Sequence, residues 1–170
     1  MSTKVKLLTE KAVMPSRAHE TDSGWDITII NINSIKGDTV FFGSGVAVRP
    51  PAGHYFEIYL RSSCSELPIM LANSVGIIDS GYRSEIIIPI RILHPNIGTG
   101  EKTAQYPSGM IRMLESRPTS MVEVANLILA KKPRIAQMIL RKSINTSFVE
   151  EVQLDTTERN LDGFGSTGDK

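Results

Sequence analysis

Asp79 and Tyr82 stand three residues apart in the stretch Leu71 to Ile86, LANSVGIIDSGYRSEI, where a polar Asp-Ser-Gly turn separates two apolar, β-type runs. A carboxylate beside an aromatic ring can serve as base and floor for a small ligand. Asp-Ser-Gly is also a good turn former, and Tyr82 would then be an edge aromatic. Val75, Ile77 and Ile78 before the turn and Ile86 to Ile88 after it read as the arms of a β-hairpin.

Three other places carry polar chemistry. Arg61-Ser62-Ser63 sets a guanidinium fork beside two hydroxyls, which suits phosphate and equally suits a solvated strand end. The run Arg134 to Leu140, RIAQMIL, has Gln137 as its interior polar residue. Near the end, Gly163 to Gly168, GFGSTG, exposes backbone N–H groups and adds the hydroxyls of Ser166 and Thr167, so it can wrap phosphate oxygens. It matches the letters of a dinucleotide-binding loop but lacks the strand before and the helix after that such a loop needs. Cys64 has no histidine at a recognisable spacing and reads as a small buried thiol; His19, His54 and His94 show no metal-ligand spacing.

The elements that must position these residues are short. Lys4 to Leu8, Trp25 to Ile30, Thr39 to Phe42, Val46 to Val48, His54 to Leu60, Ile69 to Leu71, Ile135 to Leu140 and Val149 to Leu154 read as strands, broken by Gly43-Ser44-Gly45 and Pro50-Pro51-Ala52-Gly53. The class is mainly β, an antiparallel barrel or jelly roll. One helix is expected over 119–131. Ser120 and Glu123 form a capping box, Met121, Val124, Ala125 and Ile128 share a face, and Pro133 stops it. From Asp155 onward only Leu161 and Phe164 are large and apolar, so residues 155–170 form a flexible arm after a domain at 1–154.

Composition sets the outer limits. A chain of 170 residues makes about one domain. Nineteen basic and eighteen acidic side chains leave a formal charge of +1, which provides no bulk field for nucleic acid or an acidic membrane. A single cysteine forms no internal disulfide, and no apolar run approaches the roughly 20 residues of a membrane span. The expectation is a soluble, intracellular protein.

Taken in order, these pieces resemble the five motifs of the trimeric dUTPase family: Ser23-Gly24-Trp25-Asp26, Arg61-Ser62-Ser63, Asn73 to Glu85, Arg134-Ile135-Ala136-Gln137, and Arg159 with Gly163 to Gly168. The resemblance implies a jelly-roll-like subunit, a homotrimer with active sites at the subunit interfaces, and hydrolysis of dUTP to dUMP and pyrophosphate with Mg²⁺. That reaction limits uracil in DNA and supplies dUMP. It implies that Asp79 activates the attacking water and bonds the sugar 3′-hydroxyl, and that Tyr82 lies under the deoxyribose. Gly76 and Ile78 with Asn73 would read the uracil edge, while Arg61, Ser62, Ser63, Gln137, Arg159, Gly165, Ser166 and Thr167 would hold the triphosphate. Phe164 would stack on the base, and Asp26 would support the metal through water. Arg-Ser-Ser and the long segment 95–132, a candidate partner surface, are also similar to dUTPases of large DNA viruses.

The chain departs from the family pattern at Lys132-Pro133, where Gly-Asp is usual, and at Ser63, Ser84, Asn160 and Asp162, where glycine is usual. Two rival readings follow from the same residues. A dCTP deaminase shares the fold, but Glu66 and Pro89 occupy the places of its catalytic Arg and Glu. A non-catalytic nucleotide- or protein-binding member would fit the altered glycines, against which stand the intact Asp79, Tyr82, Arg159 and Phe164.

Overall fold

The computed structural model of the chain describes residues 1–65, 67–93, 120–131 and 133–157. Within them run ten strands and one α-helix: β1 Lys4–Leu7, β2 Gly24–Ile27, β3 Asn31–Lys36, β4 Thr39–Gly43, β5 Val46–Arg49, β6 His54–Leu60, β7 Ile69–Leu71, β8 Gly76–Ile78, β9 Ile87–Ile92, α1 Met121–Lys131 and β10 Ala136–Lys142. The strands form two four-stranded sheets, β2-β10-β6-β8 and β3-β4-β9-β7, with β1 and β5 as a separate pair. All pairings are antiparallel.

Alternation along β6 and β9 turns one face inward. In β9, Ile88, Ile90 and Ile92 are buried while Arg91 is exposed, and in β6 Phe56 and Ile58 point inward between Tyr55, Glu57 and Tyr59. Both sheets and β5 contribute to one hydrophobic core, with Ile27, Phe56, Ile58 and Ile78 from the first, Val40, Phe42, Ile88 and Ile90 from the second, and Val46 and Val48 from β5. The helix adds Val124, Ala125 and Ile128 and packs on β3. Its N-terminus is capped as the sequence predicts, with Glu123 N–H donating to Ser120 Oγ at 3.3 Å.

Four expectations are corrected. The run Trp25 to Ile30 is not one strand. After Ile27 the chain passes between sheets, with Ile29 N–H donating to Pro133 O at 2.7 Å and Ile30 N–H to Gly43 O at 2.8 Å. The strand β3, Asn31–Lys36, was not foreseen, because NINSIK carries too many polar residues to read as a strand and gains its order from pairing with β4. Residues 75–78 and 86–88 are not the arms of a hairpin. β8 pairs with β6 in one sheet, and β9 pairs with β4 and β7 in the other. Val149 to Leu154 forms no strand, and Ile144, Phe148, Val149, Val152 and Leu154 all stand exposed.

The outward face of β6 and β10 carries a polar network. Tyr55 and Tyr59 hydroxyls donate to Glu57 Oε1 and Oε2 at 2.9 and 2.6 Å, and Arg141 Nε pairs with Glu57 Oε2 at 2.8 Å. Tyr59 and then Arg141 stabilise the charged carboxylate, which holds Glu57 down at about 2 from the ordinary 4.5. The same carboxylate pushes the Tyr55 phenol up. Because Glu57 is depressed in the fold, its contribution to stability is complete above about pH 4.5 and is lost as the pH falls through about 2. Glu57→Gln should therefore lower the melting temperature at neutral pH, and the gap from wild type should close on acidification. A gap of constant size down to acid pH would show that the carboxylate's charge does not stabilise this face.

Candidate functional site

Two groups of predicted site residues come together, each in its own part of the first sheet. The first lies around the turn at 79–85. A pocket of about 190 Å³ is lined by Ile58, Leu71, Asn73, Gly76, Ile77, Ile78, Tyr82, Ile87 and Pro89. Gly76 is needed there. A Cβ on it would lie 3.0 Å from Ile58 Cβ and 3.3 Å from the Asn73 side-chain nitrogen, so any side chain would push the pocket wall or fill its floor. β8 is the edge strand of its sheet, so alternate backbone groups along it stay open to a ligand.

Asn73 leads into β8 through a tight turn in which Val75 N–H donates to Asn73 O at 2.6 Å. Ser74 takes φ +60°, the one non-glycine residue with positive φ among the described residues. Ser63 and Ser84 therefore occupy ordinary backbone regions, and the serines at these family-glycine positions impose no left-handed strain. Beyond β8, Asp79 is exposed at the start of the turn, which Tyr82 N–H closes on Asp79 O at 3.0 Å. Tyr82 is about one-third exposed, and its hydroxyl donates to Glu85 O at 2.8 Å. Arg83 clips the turn from outside, with Nη1 donating to the carbonyls of Ser80 and Tyr82 at 2.7 and 2.6 Å.

The second group is cationic and polar. Asp26 on β2 pairs with Arg61 Nε at 2.8 Å through Oδ1 and with Arg134 Nη1 at 3.5 Å through Oδ2. Arg61 also donates to Arg134 O at 3.3 Å. Gln137 lies opposite Asp26 across β10 and β2, and its Nε2 donates to Leu60 O at 3.3 Å. Gly24 leaves the space that the Gln137 side chain fills, since a Cβ there would collide with it. Ser62 and Ser63 sit exposed in a short 3₁₀ turn directly after Arg61, and Cys64 closes that turn as a buried thiol facing Ile135 O. One carboxylate shared by two guanidiniums leaves the cluster with positive charge to offer an anion.

The pocket lining includes none of Asp26, Arg61 or Gln137, so the two groups are distinct surfaces of this chain. Arg159, Phe164, Gly165, Ser166 and Thr167 lie outside the described residues, as does most of the segment 95–132. Sequence reasoning did not assign roles to Arg134, Arg83, Glu85 or Ser44. The surplus guanidinium of Arg134 beside a lone Asp26 was the available signal. Arg83 bonds carbonyls of its own turn, whereas Glu85 and Ser44 depend on contacts that no local pattern encodes.

No family model matches the chain. Among curated proteins, it is 30% identical over 170 residues, 99% of both chains, to the deoxyuridine 5′-triphosphate nucleotidohydrolase of Trichodesmium erythraeum, and 29% identical over 167 residues, 97% of this chain and 95% of the other, to that of Clostridium tetani. Among solved structures, the dUTPase of Staphylococcus bacteriophage 80alpha with dUpNHpp superposes with a TM-score of 0.68 at 24% identity, covering 98% of each chain. The dUTPase of phage phi11, which displays a species-specific insert, superposes with a TM-score of 0.64 at 19% identity over 92% of this chain and all of that one. These two structures share the fold.

If Arg61 and Arg134 face an anion, removing their shared counter-charge strengthens its binding. Asp26→Asn should tighten the binding of inorganic pyrophosphate, the more so at low salt, as read by calorimetric titration at two ionic strengths. Affinity equal to wild type at both would show that the guanidiniums serve only to hold the sheet.

Proposed function

The chain belongs to the deoxyuridine 5′-triphosphate nucleotidohydrolase family, and from that premise we propose that it hydrolyses dUTP to dUMP and pyrophosphate. The observation that carries this reading is the small pocket floored by Gly76 and bordered by Asn73 and Tyr82, with the exposed carboxylate of Asp79 immediately after β8. Uracil enters the pocket and is read by backbone groups of Gly76 and Ile78 along the open edge of β8, with Asn73 beside them. In this reading the pocket admits uracil and excludes the 5-methyl group of thymine. Tyr82 lies under the deoxyribose, where a 2′-hydroxyl would meet the ring.

Cleavage of the phosphoanhydride needs a positioned water, charge neutralisation and exclusion of solvent. Asp79 bonds the sugar 3′-hydroxyl and takes the proton of the attacking water. Arg61, Ser62, Ser63 and Gln137 hold the triphosphate. Arg159, Gly165, Ser166 and Thr167 join them from the C-terminal arm, and Phe164 covers the base. Arms of this kind exclude water as they close.

Among the described residues no three His, Cys, Asp or Glu side chains gather as a metal site. Both oxygens of Asp26 are engaged by guanidiniums, so the donor set does not build a resident cage. It fits Mg²⁺ arriving on the triphosphate, the usual habit of an ion that keeps its waters, and Asp26 would reach it through one of these. There the ion neutralises phosphate charge. For comparison, a mutant of the phage phi11 dUTPase coordinates a structural Mg(II) ion.

The two separate surfaces support a homotrimer in which the cationic group of one subunit faces the pocket of the next. The apolar side chains Phe148, Val149, Val152 and Leu154, exposed among the described residues, supply an area that a second subunit would cover.

Pyrophosphate release with Mg²⁺ from dUTP, dCTP, dTTP and UTP tests the activity. We expect turnover of dUTP far above the others, and a loss of about 10²- to 10⁴-fold in Asp79→Asn with nucleotide binding retained, the usual contribution of a positioned base. A folded protein that hydrolyses none of the four would sink the enzyme reading in favour of a binding role. A chain truncated after Ser143 should elute as a monomer in light scattering and lose turnover. A truncated chain that remains trimeric would rule out the apolar segment as the subunit contact.

A further inference from the structure

The bend at 43–45 between β4 and β5 grips the far end of the 79–85 turn. Gly45 stands at φ +66°, and a Cβ on Gly43 would lie 2.7 Å from both Asn33 Oδ1 and Glu85 Oε1. Ser44 is fully buried; its Oγ donates to Ile86 O at 2.7 Å and accepts Val46 N–H at 3.1 Å. Ile86 N–H donates to Val46 O at 2.8 Å. Beside this backbone clasp, Gly45 N–H donates to Glu85 Oε1 at 2.6 Å and Asn33 Nδ2 donates to Glu85 Oε2 at 3.4 Å. Asn31 in turn donates to Asn33 Oδ1. The carbonyl of the same Glu85 receives the Tyr82 hydroxyl at 2.8 Å. The ring is thus tied by its phenol to the residue whose carboxylate is fastened to the bend.

We propose that Glu85 is a positioning residue that holds the Tyr82 ring at the height where it separates deoxyribonucleoside from ribonucleoside triphosphates. The inference rests on the reading of Tyr82 as the platform for the sugar. A platform that rejects a single hydroxyl works by contact, and a shift of a fraction of an ångström opens room for it. Glu85 carries two acceptors on Gly45 and Asn33, so losing its carboxylate leaves the foot of the turn held only from Ile86 onward and loosens the residue that anchors the Tyr82 hydroxyl, while β8, held by β6 in the other sheet, stays in place. The consequence is specific. Selection of the sugar weakens, and selection of the base, made along β8, does not.

The test compares kcat/KM for dUTP and UTP, with dCTP as competitor, in wild type, Glu85→Ala, Glu85→Gln and Asn33→Ala, together with melting temperatures. In Glu85→Ala the preference for dUTP over UTP should fall by about tenfold or more, the scale of one lost hydrogen bond to a charged group. The weak competition by dCTP should stay unchanged. Glu85→Gln should recover most of the preference, because its amide oxygen still accepts Gly45 N–H, and Asn33→Ala should show a smaller loss. A wild-type preference for dUTP over UTP in Glu85→Ala overturns the proposal, as does a parallel loss of sugar and base selection that follows the melting temperature. Should Glu85→Ala not fold, an unchanged preference in Asn33→Ala overturns it equally. Absence of dUTP turnover in wild type appears before any variant is compared; it defeats the functional reading and this inference with it.

Discussion

The turn that presents Asp79 and Tyr82 is suspended between two sheets. Its leading foot is β8, hydrogen-bonded to β6, and its trailing foot is Glu85-Ile86, bonded to the bend at 43–46 and continuing into β9. A hairpin in one sheet would carry its own geometry with it, since both arms share a ladder. Here the distance between carboxylate and ring depends on how the two sheets pack, and therefore on the shared core of Ile58, Ile78, Phe42, Ile86 and Ile88. Well-packed side chains resist displacement, so the core acts as the rigid frame for the chemistry above it.

Charge is arranged with similar economy at the other surface. Among the described residues Asp26 alone answers both Arg61 and Arg134, where the family pattern would bring a second carboxylate immediately before the arginine. Pro133 occupies that place, and its carbonyl serves the backbone of Ile29 where β2 ends. The substitution thus removes a side-chain charge and keeps the backbone contact that steers the crossover between sheets. The guanidiniums keep more of their charge for a ligand.

Much of this architecture is legible in the sequence. Short β-prone runs bounded by turn residues located the edges of β4, β5, β6 and β7 to within a residue or so. The Ser120 and Glu123 spacing located α1. What alternation lacks is a partner: it tells which side of a strand is buried and not which strand lies beside it, so residues 75–78 and 86–88 read as mates although they belong to different sheets. The β3 segment failed for the opposite reason, its Asn31 and Asn33 side chains being bonded to Glu85 and to one another. Val149 to Leu154 has the pattern of a strand without a neighbour among the described residues. The site residues Asp79, Tyr82 and Arg61 were legible by type and order. Glu85 and Ser44 were not, since their work is done across some forty positions of sequence.

The strand order β2-β10-β6-β8 places the strand latest in sequence between two made long before it. During synthesis, β2 and β6 have no ladder to share until residues 136–142 leave the ribosome, and each meanwhile shows an open edge. Long-range pairing of this kind is slow and exposes strands to wrong partners. The first sheet, and with it the cationic group of Asp26, Arg61 and Gln137, therefore closes only once β10 has been made, and until then its two halves cannot share a ladder.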